Sequence, residues 1–381
     1  MVSAPIAGAT AAVFTGEYLQ YWTETDADWT DVPSASFELV PAKGYSLWGV
    51  AKGAYTFTGT PNTGNQSIGI TANGTGGSFN GANLLGNPYP SSIDWDLVSG
   101  YGAVYYWDGS QYLAYPETGS YGIGSQYVPP MQGFFVVVGS SGTFSLTNAL
   151  RTHNGATSYY KSEKALPANS IKLVAKSNTY NNELFLRLDN NALENFEQSR
   201  DAYKLLSGTA GMPELYSFAN DKMLSIDVRP ACEQIQLGFE NSQNGNYSID
   251  IKEMDGIVSA QIEDTKTNIL HNFATGAYQF DYLTSDNSKR FILHLSMVGI
   301  DEPETGTGIE IYSNNQNIFI RSDNSINNSS LTICDLMGRV LFEQELTGDN
   351  LFTVPVNLST GVYVVSVQTA EVIRSEKVFV K

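Results

Sequence analysis

Charge is scarce in this chain. Only 16% of its 381 residues are charged, and the positive sign is the scarcer, with 21 Lys plus Arg against 39 Asp plus Glu. The resulting −18 repels phosphate backbones, and no Lys/Arg-rich run offsets it locally, so neither nucleic acid nor an anionic membrane surface is an expected partner. Cysteine is nearly absent. Cys232 and Cys334 form no C-x-x-C pair, which rules out a zinc ribbon or a thioredoxin-type site, and two separate buried thiols are expected. His153, His271 and His294 are isolated, without the H-x-x-x-H or E-x-x-H spacing of a zinc site. No stretch reaches the roughly 18 apolar residues of a membrane helix, so no transmembrane segment is expected. The opening "MVSAPIAGATAAVF" lacks a basic region and a sustained apolar run, and it does not read as a signal peptide. An exported form of this chain is therefore expected to be mature or truncated.

Motifs of catalysis are missing too. "TGGSFNG" lacks the Lys and helix of a phosphate loop, and no G-x-S-x-G elbow occurs. "DADWTD" has Asp26, Asp28 and Asp31 but neither the Gly nor the late Glu of a calcium loop. No cofactor, metal or catalytic residue is expected, and the chain reads as a non-enzyme.

Strand signals are abundant. Runs rich in Val, Ile, Tyr, Phe and Thr, such as "AYTFTGT", "GAVYYWDG", "GFFVVVG", "ELFLRLD" and "RFILHLS", alternate with Gly/Asn/Pro/Ser turns. Only 94–100 and 192–206 resemble helical windows, and both are short and polar. Polar, turn-rich sequence at 155–166 and an acidic Pro/Gly/Thr stretch at 300–308 divide the chain. The expected architecture is all-β, with three consecutive antiparallel sandwich or jelly-roll-like domains at 1–155, 166–299 and 309–381, the last a small Ig-like sandwich.

In 309–381, period-2 alternation sets Tyr363, Val365 and Val367 on one face and Val362, Val364 and Ser366 on the other. "LTICDLMGRVL", "LSTGVYVVSV" and "KVFVK" together resemble the C-terminal sorting domain (type A) of proteins exported by the type IX secretion system of Bacteroidetes. The family's D-x-x-G-R falls on Asp335, Gly338 and Arg339. Its L-x-x-G-x-Y-x-V falls on Leu358, Gly361, Tyr363 and Val365, and its final K-V-x-V-K on Lys377, Val378, Val380 and Lys381. Many members open with Y-P-N-P, where this chain has "YSNN". The resemblance implies recognition of 309–381 by the outer-membrane translocon, removal by a sortase-like peptidase, and attachment of the remainder to surface lipopolysaccharide. It places the protein outside the cell or on the outer-membrane surface, after passage through the periplasm.

"GNPYPSSIDW" and "VPPMQGFFVVV" are similar to a module of large secreted Bacteroidetes surface proteins, one that lends no settled activity. Pro88 and Pro90 stiffen an extended segment, from which Ile93 and Trp95 can enter the core. Asp94 and Asp96 read either as a carboxylate pair or, with no partner base in view, as turn-capping groups. Residues 167–298 resemble the β-sandwich that often precedes the sorting domain in the same secreted proteins, and read as a spacer. There Asp201, Asp221 and Glu183 read as solvated loop carboxylates or as calcium ligands. Tyr105, Tyr106, Trp107, Tyr112, Tyr115, Tyr121 and Tyr127 form an aromatic-rich stretch. One reading is a sugar-stacking surface built from Tyr106, Trp107, Tyr112 and Tyr115 with Asp108 and Gln111, which would bind a surface glycan or a host protein. The other is core and cross-strand pairing. The overall expectation is an exported adhesive or structural surface protein. The alternatives are the non-catalytic end of a larger secreted enzyme, or a glycan-binding module.

Overall fold

The computed structural model describes residues 1–49, 54–73, 79–118, 121–153, 166–297, 309–314, 316–322, 329–335, 338–369 and 373–380. Both expected linkers, and Lys381, lie outside the described residues, apart from Leu166 at the end of the first linker. The described chain is all-β and its sheets are predominantly antiparallel. It forms two compact units, Met1–Val298 and Gly299–Lys381.

The two helical windows fail for a local reason. At Trp95–Leu97 the chain makes one 3-10 turn, with Asp94 accepting from the Asp96 N–H. In 192–206, Glu197 Oε2 accepts from Leu193 N at 2.8 Å and Asp201 Oδ2 accepts from Glu197 N at 2.7 Å. These carboxylates satisfy N–H groups from the side and favour turns over a helix. "AYTFTGT" also departs from expectation: it joins no ladder, and Tyr55 and Phe57 instead pack edge-on against Phe14.

In the first unit, eleven strands between Ser170 and Met297 make one sheet. Its two edge strands, Ile269–Asn272 and Tyr278–Tyr282, are near neighbours in sequence. One pairing is parallel, Asn181–Leu188 with Lys222–Arg229. Inside the sheet, Ile171, Leu173, Leu184 and Leu186 meet Phe239, Phe280 and Phe291 in a shared core. Burying each such side chain contributes about 1.5–3 kcal/mol.

The opposite face of strand Asn181–Leu188 is also covered. Phe185 stacks on Tyr121 at 5.4 Å, and it joins Tyr105, Ala114, Phe135, Ala202, Ile226 and Val228 in a second core. Residues 1–153 therefore pack on the large sheet across a seam rich in aromatic side chains. They contribute four small sheets of their own. The "GNPYP" segment ties them together: Asn87, fully buried, donates to the carbonyls of Ser91, Val128 and Pro129. Gly86 must be glycine, because a Cβ there would lie 2.2 Å from Ser3 Cβ.

The second unit has a three-stranded sheet (Ile309–Asn314, Asn317–Ser322, Leu351–Pro355) and a four-stranded one (Val340–Leu346, Ser329–Cys334, Gly361–Gln368, Ile373–Val380). Ile318, Ile320, Ile333, Val365 and Val380 fill the space between.

An ion network is sealed inside the large sheet. Asp264 receives Arg290 through Nε at 2.8 Å and Nη2 at 2.5 Å, together with the Tyr278 hydroxyl at 2.7 Å. Burial pushes the Asp264 carboxyl up, but the hydrogen bonds from Arg290 and Tyr278 and the Arg290 charge outweigh it and hold the pKa at about 2. A depressed carboxylate pKa stabilises the fold above its unfolded value near 4, and that stability is lost as pH falls through about 2. Asp264→Ala, which leaves Arg290 only Asp286 and the Asp281 carbonyl, is expected to cost about 3 kcal/mol in urea unfolding at pH 7. In the native chain Asp264 is expected to add to the acid-side loss of stability between pH 4 and 2, and the Ala variant should show a smaller loss there.

Candidate functional site

The expected glycan-binding residues lie on one hairpin, Val104–Trp107 with Tyr112–Tyr115, in which Trp107 faces Tyr112. Asp108 closes its turn: Oδ1 accepts from Ser110 N at 2.8 Å, Ser110 Oγ at 2.9 Å and Gln111 N at 2.9 Å. Gly109, at φ +106°, supplies the left-handed residue this turn requires. The two-residue period then sorts the aromatics onto two faces. Tyr106 and Tyr115 enter the core beside Trp95 and Phe134, and the Tyr115 hydroxyl donates to Asp96 at 2.7 Å. Trp107 and Tyr112 lie on the opposite face, half-buried, with ring centroids 5.0 Å apart. Tyr112 in turn rests edge-on against Phe79 and Phe135. The hairpin thus brings Trp107, Asp108, Gln111 and Tyr112 together, and separates them from Tyr106 and Tyr115.

Asp108 and Gln111 line a polar cleft of about 630 Å³ on the seam, whose other wall comes from the large sheet. Paired charges line that wall, Lys252 with Glu183 at 2.5 Å and Lys172 with Glu253 at 3.6 Å. Each carboxylate on that wall is thus held by a lysine.

Behind Gln111 runs a buried relay that sequence reasoning missed. Asn182 Nδ2 donates to Gln111 Oε1 at 2.8 Å, and Lys204 Nζ donates to Asn182 Oδ1 at 2.6 Å. Lys204 also pairs with Glu214 at 2.8 Å. Burial lowers the Lys204 pKa, and Glu214 works against that shift. A lysine at an exposed-looking position in "AYKLL" gave no signal of this in the sequence. Asp264 did give one, because it shares strand parity with the core residues Ala260 and Ile262.

Other candidates occupy ordinary structural places. Asp94 caps its turn and accepts from Gln126 at 2.9 Å. Asp201 is not a solvated loop carboxylate: it is 2% exposed and accepts from Glu197 N and from Val228 N, the latter at 2.8 Å. The flanking residues Ser199 and Arg200 accept hydrogen bonds across the seam from Thr118 and Tyr121. Cys232 and Cys334 are free and only half-buried, where full burial was expected. Among the described residues no group of three or more His, Cys, Asp or Glu is placed to hold a metal, and no helix is long and apolar enough to cross a membrane.

In the second unit most of the residues expected to form the sorting motif hold the fold together. Asp335 Oδ1 accepts from Arg339 N at 3.0 Å and Oδ2 from Arg339 Nε at 3.1 Å, around Gly338 at φ +78°. Tyr363, Val365, Val378 and Val380 are core, and the Tyr363 hydroxyl donates to Ser359 O at 2.7 Å beside Gly361. Leu358 packs on that core, and its N–H donates to Gln316. Lys377 pairs with Val364 across the last two strands.

Comparison with known proteins adds identity to this geometry. Residues 98–295 match the family described as Domain of unknown function (DUF8693), and residues 311–381 match the family described as Secretion system C-terminal sorting domain. A curated relative, the minor fimbrium subunit Mfa5 of Porphyromonas gingivalis, is 23% identical over 93% of this chain. The chain spans about a third (32%) of that relative's length. A solved structure, the adhesin domain of Epf from Streptococcus pyogenes, aligns at 9% identity over 56% of this chain and 92% of that one. Its TM-score of 0.16 carries no inference. The type IX sorting domain and the fimbrium-subunit likeness mark a protein exported to the cell surface or the extracellular space.

Protonation at the seam has a calculable sign. Burial first, and then the nearby charges of Asp227 and Glu197, raise the Asp201 pKa to about 7, against two backbone N–H bonds that lower it. A carboxyl whose folded pKa is raised stabilises the fold fully below its unfolded value near 4, and loses that contribution as pH rises through about 7. Thermal unfolding between pH 4 and 7 should show this decline, and Asp201→Asn should flatten it.

Proposed function

The chain belongs to the family described as Domain of unknown function (DUF8693), and we propose that it is a non-enzymatic adhesive component of a Bacteroidete surface. The observation that carries this reading is a likeness to a minor fimbrium subunit along 93% of the chain, joined to a C-terminal sorting domain. In this reading residues 309–381 engage the outer-membrane translocon, and a sortase-like peptidase then removes them. Met1–Val298 remains as the displayed part, held to surface lipopolysaccharide.

A second reading rests on one specific feature, the hairpin that pairs Trp107 with Tyr112 and whose Asp108 and Gln111 line the seam cleft together with Tyr180. There a glycan would meet planar polar groups and an aromatic edge, the usual means of holding a sugar ring. A host protein presenting such a glycan would be the partner.

Deleting residues 309–381 in the native host is expected to leave the protein in the periplasm, scored by cell fractionation and surface labelling. Normal surface delivery of the truncated chain refutes the export reading. On a glycan array, Trp107→Ala and Gln111→Ala are each expected to lower binding at least tenfold. Binding that survives both changes rejects the hairpin as the contact surface.

A further inference from the structure

A second cleft, of about 460 Å³, lies on the large sheet between the segment around Thr209 and Met212, the residues after strand Gln234–Glu240, and the loop Tyr282–Ser288. Its volume falls in the range of small-ligand sites, about 300–1,000 Å³. Within it Asn241 is 8% exposed and firmly oriented. Its backbone N–H donates to the Tyr282 hydroxyl at 3.3 Å, and its Oδ1 accepts from Gln243 N at 2.9 Å. Its Nδ2 is buried with no hydrogen-bond partner among the described residues. A buried amide donor without an acceptor is destabilising, so the cleft is built to receive an acceptor atom.

The remaining polar groups say what else the ligand carries. Three carboxylates line the cleft, each already engaged from within. Glu214 pairs with Lys204 at 2.8 Å, Asp286 pairs with Lys266 at 2.7 Å and Arg290 at 2.9 Å, and Glu240 accepts from the Tyr216 hydroxyl at 2.6 Å. Their free lone pairs accept hydrogen bonds, while Lys204 blunts the charge of Glu214, and Lys266 and Arg290 that of Asp286. An anion would meet three carboxylates, and the lining groups form no metal-holding set. A sugar hydroxyl fits both demands, because one oxygen accepts from Asn241 while its proton goes to a carboxylate. Met212, almost fully buried, supplies an apolar contact for ring carbons. We propose that this cleft binds an uncharged saccharide, with Asn241 Nδ2 donating to a sugar oxygen and Glu240 accepting from a sugar hydroxyl. The site is separate from the hairpin cleft and independent of how the protein reaches the surface.

The test uses the full chain, with galactose, mannose, fucose and N-acetylglucosamine each titrated by saturation-transfer NMR and calorimetry up to millimolar concentrations. At least one of these sugars is expected to bind. Asn241→Asp keeps the acceptor for Gln243 but removes the free donor, and it should weaken binding at least tenfold. Thr284→Trp fills the mouth from an exposed position and should abolish binding. It decides the matter if Asn241→Asp lowers the melting temperature. Trp107→Ala, on the hairpin but outside the relay, should leave this binding unchanged. The proposal is overturned if none of the four sugars binds, or if binding persists in Thr284→Trp. Loss of binding in Trp107→Ala alone also overturns it and assigns the sugar to the hairpin.

Discussion

Lys204 is 4% exposed, and its ammonium group must find its countercharge and hydrogen bonds inside the protein, because water cannot supply them. It meets that demand with Glu214 on one side and Asn182 on the other. Asn182 in turn reaches across to Gln111 on the hairpin of the first 153 residues. Losing one member would leave a buried charge or amide unpaired, so the relay holds hairpin and large sheet in one arrangement. Both clefts depend on it, since Gln111 lines one and Glu214 lines the other. Apolar contact between Phe185 and Tyr121 supplies area along the same seam, while the relay supplies register.

Much of this fold is written in residue alternation. Tyr363, Val365 and Val367 point inward, as the two-residue period requires, and so do Leu184, Leu186 and Leu188. The same rule, applied to the Val104–Trp107 hairpin, separates Tyr106 and Tyr115 from Trp107 and Tyr112. What alternation does not carry is the far side of a strand. Phe185 lies on the face that reads as outward in "ELFLRLD", yet the first 153 residues cover it. Those partners are more than sixty positions away in sequence for Tyr121. Asp201, Lys204 and Asn241 were opaque for the same reason, because their environments are assembled from distant segments.

Buried charge is used in two ways in the first unit. Around Asp264, bidentate pairing with Arg290 and a tyrosine hydroxyl satisfies the carboxylate and keeps it ionised far into acid. Asp201 has two backbone donors but no adjacent cation among its hydrogen-bond partners, and its proton is retained up to about neutral pH. Two aspartates of similar burial thus pull stability in opposite directions as pH changes. The difference lies in whether an arginine donates hydrogen bonds to the carboxylate.

The final strands give their motif an unexpected reading. In L-x-x-G-x-Y-x-V and K-V-x-V-K the named aromatic and branched positions are mostly those that vanish into the core. The unnamed ones include Val362 and Phe379, cross-strand partners that stand exposed on the outer surface of the sheet. The pattern therefore identifies the scaffold and leaves its visible face unspecified. A receptor approaching that sheet from outside touches side chains about which the motif is silent. Two tails with the same motif can wear different faces, so matching one to its reader requires comparing the letters the pattern omits.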